Sequence, residues 1–330
     1  MASAKKVGCS VRSLRLPISA SPHLLIVAGL LFLPTSLSAT TYYLTVAGLG
    51  GEPEYEQRFT MWAGEIESIL KPAGGEASVQ TLKGPAATRA NVRAAFEKIA
   101  GEAKPQDALV VTLIGHGSHD GVEYKINLPG PDLSATELAA LLDRVPATRQ
   151  LVVNMTSASG GAINELRKPN RVVITATKTG TERNATVFPR FWVEALRDPA
   201  ADTDKNGTIS ALEAFHYAER KVAEYYESQK RLATEHPLLE DTGKGTGVRA
   251  PSAENSEGLR AAAFPLIRLD AAKSIAGSPE KRKLLEKKDQ LEQQIDELKY
   301  NKAVMAPDQY RKRLTALLLE LAKTQEELDK

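Results

Sequence analysis

The chain has 330 residues, which bounds it to one large domain or two small ones at roughly 100–200 residues each. Hydrophobic residues at 42% and charged residues at 25% are ordinary globular values and exclude wholesale disorder. Forty-three basic against 41 acidic residues leave a net charge of +2, which excludes a nucleic-acid footprint, and the single cysteine, Cys9, excludes a disulfide framework and a cysteine-built zinc site.

The amino terminus reads as an export signal. Lys5, Lys6, Arg12 and Arg15 make a basic leader, the apolar run LLIVAGLLFL follows from Leu24 to Leu33, Pro34 breaks it, and small residues follow in TSLSAT. The run is 10 residues long, short of the ~20 that span a bilayer. Residues 1–39 are therefore expected to be a signal peptide, cleaved near Ser38 to Thr40, rather than an uncleaved anchor. The mature protein, periplasmic or extracellular, would keep no thiol and four histidines: His116, His119, His216 and His236. A cysteine-free chain suits an oxidising compartment.

Strands and helices alternate from there. Thr41 to Ala47, β-branched and aromatic, predicts a strand ended by a Gly-rich turn. Phe59, Trp62, Ile66, Ile69 and Leu70 fall on one face of a helix over Glu54 to Leu70. Ser78 to Leu82 is a short strand, and Thr88 caps a helix to about Ala103 with Val92, Phe96 and Ile99 inward. Ala108 to Ile114, Gln150 to Val153 and Val172 to Ala176 are continuous apolar runs, as expected of parallel strands covered on both faces. The order predicts an α/β sandwich with right-handed crossovers and a ligand crevice beyond the carboxyl ends of the strands.

Two polar, Gly-rich loops stand at those ends: Gly115-His116-Gly117-Ser118-His119-Asp120-Gly121 and Asn154-Met155-Thr156-Ser157-Ala158-Ser159-Gly160-Gly161. The Gly117 amide is a candidate oxyanion donor, since no side chain blocks approach to it. His116 and His119 also invite a zinc reading, with Asp120, His216 or His236 as the third ligand.

Strand-His-Gly followed by strand-x-Cys-x-Ser-Gly is the pattern of the caspase-fold cysteine peptidases, and the chain resembles their legumain-like group over roughly Thr41 to Asp241. His116-Gly117 matches the catalytic histidine motif, and Ser159-Gly160 matches the Ser-Gly after the nucleophile, which puts Ser157 in the place of the cysteine. Ser157 lies 41 residues after His116, near the roughly 50 of caspases. Val46-Ala47-Gly48 resembles the end of legumain's first strand, and Gly50 stands where the family carries an asparagine that supports the histidine. The resemblance implies a caspase-like three-layer sandwich with a mostly parallel sheet over residues 40–242.

The thiol is thus replaced by a hydroxyl, which needs a well-oriented base to attack. Asp120 is the residue available to orient His116. One reading is a peptidase-like domain without conventional cysteine-peptidase activity that binds a peptide or protein ligand or scaffolds a partner. The other is a hydrolase of peptide bonds: Ser157 attacks, His116 accepts its proton, and the amides of Gly117 and Ser157 hold the oxyanion. For that enzyme the resemblance implies asparagine or aspartate before the cleaved bond. A third is a pair of ordinary Gly-rich turns.

Residues 202–213 fit the twelve-residue EF-hand loop throughout. Asp202, Asp204 and Asn206 take positions one, three and five, Gly207 the turn at six, Thr208 the carbonyl position, Ser210 position nine, and Glu213 the bidentate position twelve. A helix from Pro189 to Arg197 and another from Ser210 to about Ser228 flank it. With no second loop of the kind, the expected cofactor is a structural Ca2+ bound in the extracellular range. Thr234-Glu235-His236 resembles the segment that closes the domain in bacterial legumain-like proteins, with His236 a structural residue or a neighbour of the site.

Residues 243–277 read as a flexible loop from Gly243 to Gly258 and an edge strand over Ala261 to Leu269, which Pro265 weakens. Residues 278–330 read as an α-helical hairpin. Leu284, Leu291, Leu298 and Met305 repeat every seven residues with Ile295 between, Ala306-Pro307-Asp308 breaks the helix, and Tyr310, Leu314, Leu317, Leu318, Leu321 and Leu328 carry the second. The hairpin either associates with itself or a partner, or packs on its own domain.

Overall fold

The computed structural model describes residues 39–71, 77–269 and 278–330. The expected signal peptide lies outside the described residues except for Ala39, as does the end of the 243–277 stretch from residue 270 on. Among the described residues no helix is long and apolar enough to cross a membrane.

β1 (Thr41–Ala47) leads through α1 (Pro53–Leu70) to β2 (Ala77–Leu82), and α2 (Arg89–Glu102) leads to β3 (Ala108–Ile114). β4 (Gly117–His119), β5 (Tyr124–Ile126) and β6 (Leu133–Ser134) form a small antiparallel sheet before α3 (Ala135–Arg144). β7 (Arg149–Asn154), α4 (Ile163–Leu166), β8 (Arg171–Thr175) and α5 (Phe188–Ala195) follow. Then come β9 (Thr208–Ser210), α6 (Ala211–Ser228), β10 (Leu238–Glu240), α7 (Leu259–Ala262) and β11 (Pro265–Arg268). Helices α8 (Pro279–Tyr300) and α9 (Pro307–Leu328) end the chain.

The main sheet has the order β10-β8-β7-β3-β1-β2. All its neighbours are parallel except β10, which runs antiparallel to β8 at the edge. Its central strands β3, β7 and β8 are buried nearly throughout because both sides are covered. In β3, Ala108, Val110 and Ile114 face the layer of α1, α5 and α6, while Leu109, Val111 and Leu113 face the layer of α2 and α3. Each such fully buried aliphatic side chain stabilises the fold by about 1.5–3 kcal/mol. This is the expected three-layer α/β sandwich. The chain leaves β1 to one side for β2 and returns to the other for β3, so a switch point opens at the carboxyl ends of β1 and β3.

Capping follows the sequence. The Thr88 hydroxyl accepts from the Asn91 amide at the start of α2, and Ser210 with Glu213 forms a reciprocal capping box at the start of α6. The segment Ala261–Leu269 departs from expectation. It does not edge the main sheet; it ends α7 and then forms β11, which pairs antiparallel with β9. Pro265 sits at the first residue of that strand, where its missing N–H removes no central ladder bond, and the register shifts between Pro265 and Ile267.

The Gly/Ser/Pro-rich stretch is tied at both ends. The buried Asp241 carboxylate accepts from the amides of Gly258, Arg260 and Ala261 at 2.9, 2.8 and 3.1 Å. The Glu257 carboxylate accepts from the Asp241 amide at 2.9 Å. α8 and α9 form an antiparallel pair: Lys281 near the start of α8 donates to the Leu328 carbonyl at 3.1 Å, and Lys287 meets Glu320 at 2.6 Å. The Tyr300 hydroxyl donates to the Glu257 carbonyl at 2.8 Å and holds the end of α8 on the body.

Candidate functional site

β3 and β7 are neighbours, with Leu113 in register with Asn154, so their two polar loops meet at the carboxyl edge of the sheet. The His116 ring is half-buried against α1. Tyr55 and Phe59 meet it edge-on with centroids 4.8 and 5.1 Å away. Burial holds its pKa below the usual 6.5; the Gly50 backbone and then the Glu52 carboxylate oppose that shift without reversing it. Backbone at Gly50 thus stands beside the histidine where the legumain pattern has an asparagine side chain.

Ser157 is only 2% exposed. Its hydroxyl donates to the Gly117 carbonyl at 3.1 Å and accepts from the Gly117 amide at 3.0 Å. It makes no hydrogen bond to the His116 ring. The Gly117 amide, the expected oxyanion donor, addresses the hydroxyl itself. Glycine is required there, because a Cβ would stand 2.4 Å from the Ser157 carbonyl oxygen.

Much of the second loop is bonded within the protein, but among the described residues the buried Asn154 side-chain amide has no partner, and the Ser157 amide, the other expected oxyanion donor, makes no hydrogen bond. Ala158 takes a left-handed conformation, φ 56°, and its amide donates to the Glu182 carbonyl at 2.7 Å. The Gly160 amide donates to the Thr177 hydroxyl at 2.9 Å, and the Gly161 amide to the Ala158 carbonyl at 3.0 Å. Beneath them Tyr124, Asn154 and Thr156 form a buried network, with the Tyr124 and Thr156 hydroxyls 2.5 Å apart and Thr156 donating to Asn154 at 2.8 Å.

The zinc reading finds no support, since among the described residues no histidine belongs to a cluster of three or more potential metal ligands. The His119 ring lies between two glycines: a Cβ on Gly161 would stand 2.5 Å from it and one on Gly180 2.4 Å. Its Nδ1 accepts from the Gly121 amide at 3.1 Å. Asp120 does not orient His116; its carboxylate accepts from the Val122 and Glu123 amides, both at 2.8 Å, and caps the β4–β5 turn. His236 meets Glu182 at 2.5 Å, so it braces the segment whose carbonyl holds Ala158. Neighbouring Glu235 is buried and accepts from the Val187 and Phe188 amides at 2.7 and 3.1 Å; burial pushes its pKa up to about 7. Neither Glu182 nor Glu235 stood out in the sequence as a support for the loop.

The second constellation lies at β9. Asp202, Asp204 and Glu213 bring one carboxylate oxygen each within 4.8 Å of one another. Asp202 accepts from the amides of Asn206 and Gly207, both at 3.1 Å. Glu213 accepts from the Thr203 amide at 2.8 Å through one oxygen and from the Ser210 amide at 2.9 Å through the other. Thr208 and Ser210 belong to β9, and the Thr208 amide donates to the Asn206 side chain at 2.8 Å. An all-oxygen donor set of this kind fits a hard cation such as Ca2+. Burial, then the charges of Glu213 and Asp202, pushes Asp204 up to about 6.

Helix α8 adds residues that sequence spacing alone did not place here. The Asn206 side-chain amide donates to Glu292 at 3.3 Å, and Lys288 donates to the Asn206 carbonyl at 2.6 Å. Arg268 of β11 pairs with Asp289 at 2.5 Å. Burial pushes Glu292 up to about 7; Lys288 opposes the shift, and Asp204, Asp289 and Asp296 add to it.

No protein-family model matches the sequence, and no curated protein sequence matches it either. Among solved structures the chain is similar to caspase-1 from Spodoptera frugiperda, at 14% identity and a TM-score of 0.43 over 62% of this chain and 86% of that one. It is also similar to a protein from Geobacter sulfurreducens, at 14% identity and a TM-score of 0.42 over 66% of this chain and 96% of that one.

Proposed function

We propose that this is an exported, calcium-stabilised protein with a legumain-like peptidase domain that lacks conventional cysteine-peptidase activity and serves as a peptide-binding or scaffolding module. The observation that carries the reading is the Ser157 hydroxyl, which donates to the Gly117 carbonyl at 3.1 Å and accepts from the Gly117 amide at 3.0 Å. A nucleophilic serine needs its proton on the base and an open donor for the oxyanion. Here both hydrogen bonds that would serve attack tie the two loops together instead. The amides of Ala158, Gly160 and Gly161 are bonded within the protein as well.

Asp202, Asp204, Asn206, Thr208, Ser210 and Glu213 would hold the Ca2+. The ion would supply positive charge where carboxylates gather and join α5, α6 and β9 at the base of the helical arm. Glu292 and Lys288 on Asn206 favour a link from the same loop to α8.

A hydrolase with Ser157 as nucleophile is the second reading. It draws on the half-buried, proton-poor ring of His116, the neutral form that a general base requires. Fluorogenic peptides varied at the residue before the cleaved bond, with calcium or chelator, separate the two readings. The expected result is no turnover by the parent or by Ser157→Ala, whether or not Ser157→Cys gains it. Turnover by the parent that Ser157→Ala abolishes would replace the pseudopeptidase with a serine hydrolase.

A further inference from the structure

The last helix has two sides. Tyr310, Leu314, Leu317, Leu321, Thr324 and Leu328 recur at heptad spacing and form the side that packs on α8. Arg311, Thr315, Leu318, Leu319, Ala322 and Glu326 all fall within a sector of about 100° on another side. All six are exposed, and two adjacent leucines lie among them, Leu318 at 48% and Leu319 at 59%. Isolated exposed leucines are ordinary; adjacent ones on a helix with small residues to either side form a contact surface. The helix runs from Pro307 to Leu328, so these leucines stand at its middle.

Charge along the helix is antisymmetric about that middle. Asp308, Arg311, Lys312 and Arg313 give its first half a net charge of +2, and Glu320, Lys323, Glu326 and Glu327 give its second half a net charge of −2. A helix with such a pattern is complementary to a reversed copy of itself. We propose that α9 is the contact helix of a two-fold homodimer, laid antiparallel on α9 of a second copy.

A two-fold axis between Leu318 and Leu319 sets Leu318 against Leu319 of the second copy. It sets Thr315 against Ala322, whose small side chains let the helices approach. It sets Arg311 against Glu326 of the second copy, and the symmetry repeats that pair. The parallel arrangement would place like charges together, and the antiparallel one also opposes the helix dipoles. Asp308 meets Asp329 at the outer ends, where Asp329 already lies beyond the last helical residue.

Nothing within the chain competes strongly for these groups. Arg311 pairs with Asp308 three residues before it, and Glu326 with Lys330 four residues after it, all well exposed. Such surface pairs contribute about 0–1 kcal/mol and exchange readily. A helix-on-helix contact is smaller than the roughly 1,600 Å² of a standard interface, which places it among weak, transient associations.

Sedimentation equilibrium of the purified protein from about 5 to about 500 µM tests it. The expected result is a weight-average mass that climbs from one chain towards two over that range, and climbs less at high salt. Leu319→Glu keeps the protein monomeric with an unchanged melting temperature. Arg311→Glu and Glu326→Arg each weaken association at least tenfold. The doubly exchanged protein, carrying both changes, regains the parent's affinity, because the axis pairs each new charge with the other. A parent that stays monomeric throughout overturns the proposal. So does a dimer indifferent to Leu319→Glu, which places the interface elsewhere, or a double exchange no better than either single change.

Discussion

The paired loops after β3 and β7 and the loop at residues 202–213 are all polar and Gly-containing, yet they end in different electrostatic states. At the carboxyl ends of β3 and β7 three of the loop groups are answered from inside: Ser157 by Gly117, Ala158 by Glu182, Gly160 by Thr177, while the buried Asn154 side-chain amide is left without a partner among the described residues. At residues 202–213 the local bonds are also made, yet carboxylates are left crowded, and Asp204 and Glu292 take up protons far above the ordinary carboxylate range, at about 6 and about 7. A hydroxyl and an amide bonded to each other, as at Ser157 and Gly117, are not free for a substrate. A loop with surplus negative oxygen has the donor set that the proposed Ca2+ would need. Occupancy of a catalytic position is therefore a poor guide to chemistry; the unspent valence of the groups there is the better one.

The most severe way to break the contrast is Gly117→Ala. A Cβ 2.4 Å from the Ser157 carbonyl forces the two loops apart, and we expect a loss of about 3 kcal/mol in chemical denaturation. A neutral result would mean that the loops are not locked together. Next comes calcium. At a free concentration about a hundredfold above its Kd, binding to the folded state alone adds about 2.7 kcal/mol, which Asp202→Asn with Glu213→Gln should erase in a thermal melt. An equal shift in the variant would remove the site.

The pH dependence sharpens the comparison, because it isolates a buried acid outside the calcium loop. Glu235 has a folded pKa raised to about 7 from 4.5, so the unfolded chain gives up the proton first as pH rises. Its contribution to stability is present at low pH and is lost between pH 4.5 and 7. From pH 5 to pH 7 the loss is about 2 kcal/mol. Glu235→Gln should flatten that part of the profile when both proteins are measured in chelator; an unchanged slope would assign it elsewhere. The smallest effect is Ser157→Ala. Losing the two bonds to Gly117 should lower stability by about 1 kcal/mol without changing peptide turnover.

Most of the sandwich could be read from the chain. ALVVTLI at Ala108 to Ile114 has no polar face, and only a strand covered on both sides tolerates that. The helices that flank residues 202–213 were legible because one short segment holds their signals. α3 passed unread although Ser134 and Glu137 carry the capping pattern ahead of Leu138, Leu141 and Leu142; the Ser134 hydroxyl accepts from the Glu137 amide at 3.2 Å. β4, β5 and β6 are too short to show an alternation. The state of the His116–Ser157 site was not legible at all. It depends on Glu182 and His236, 54 residues apart, and on Gly161 and Gly180 closing around His119. No local pattern encodes such meetings, since burial and distance decide them.

The pairing of β9 with β11 has a consequence for how the protein would respond to its ion. In a paired hand the neighbouring strand belongs to a second loop, and one occupancy helps the next. Here the neighbour is a plain segment of the same chain, permanently tethered and carrying no site of its own. Uptake of the proposed Ca2+ would then follow a one-site isotherm with a Hill slope of one, passing from a tenth to nine-tenths full over about an 80-fold rise in concentration. Such a curve makes a steady fastener and a poor alarm.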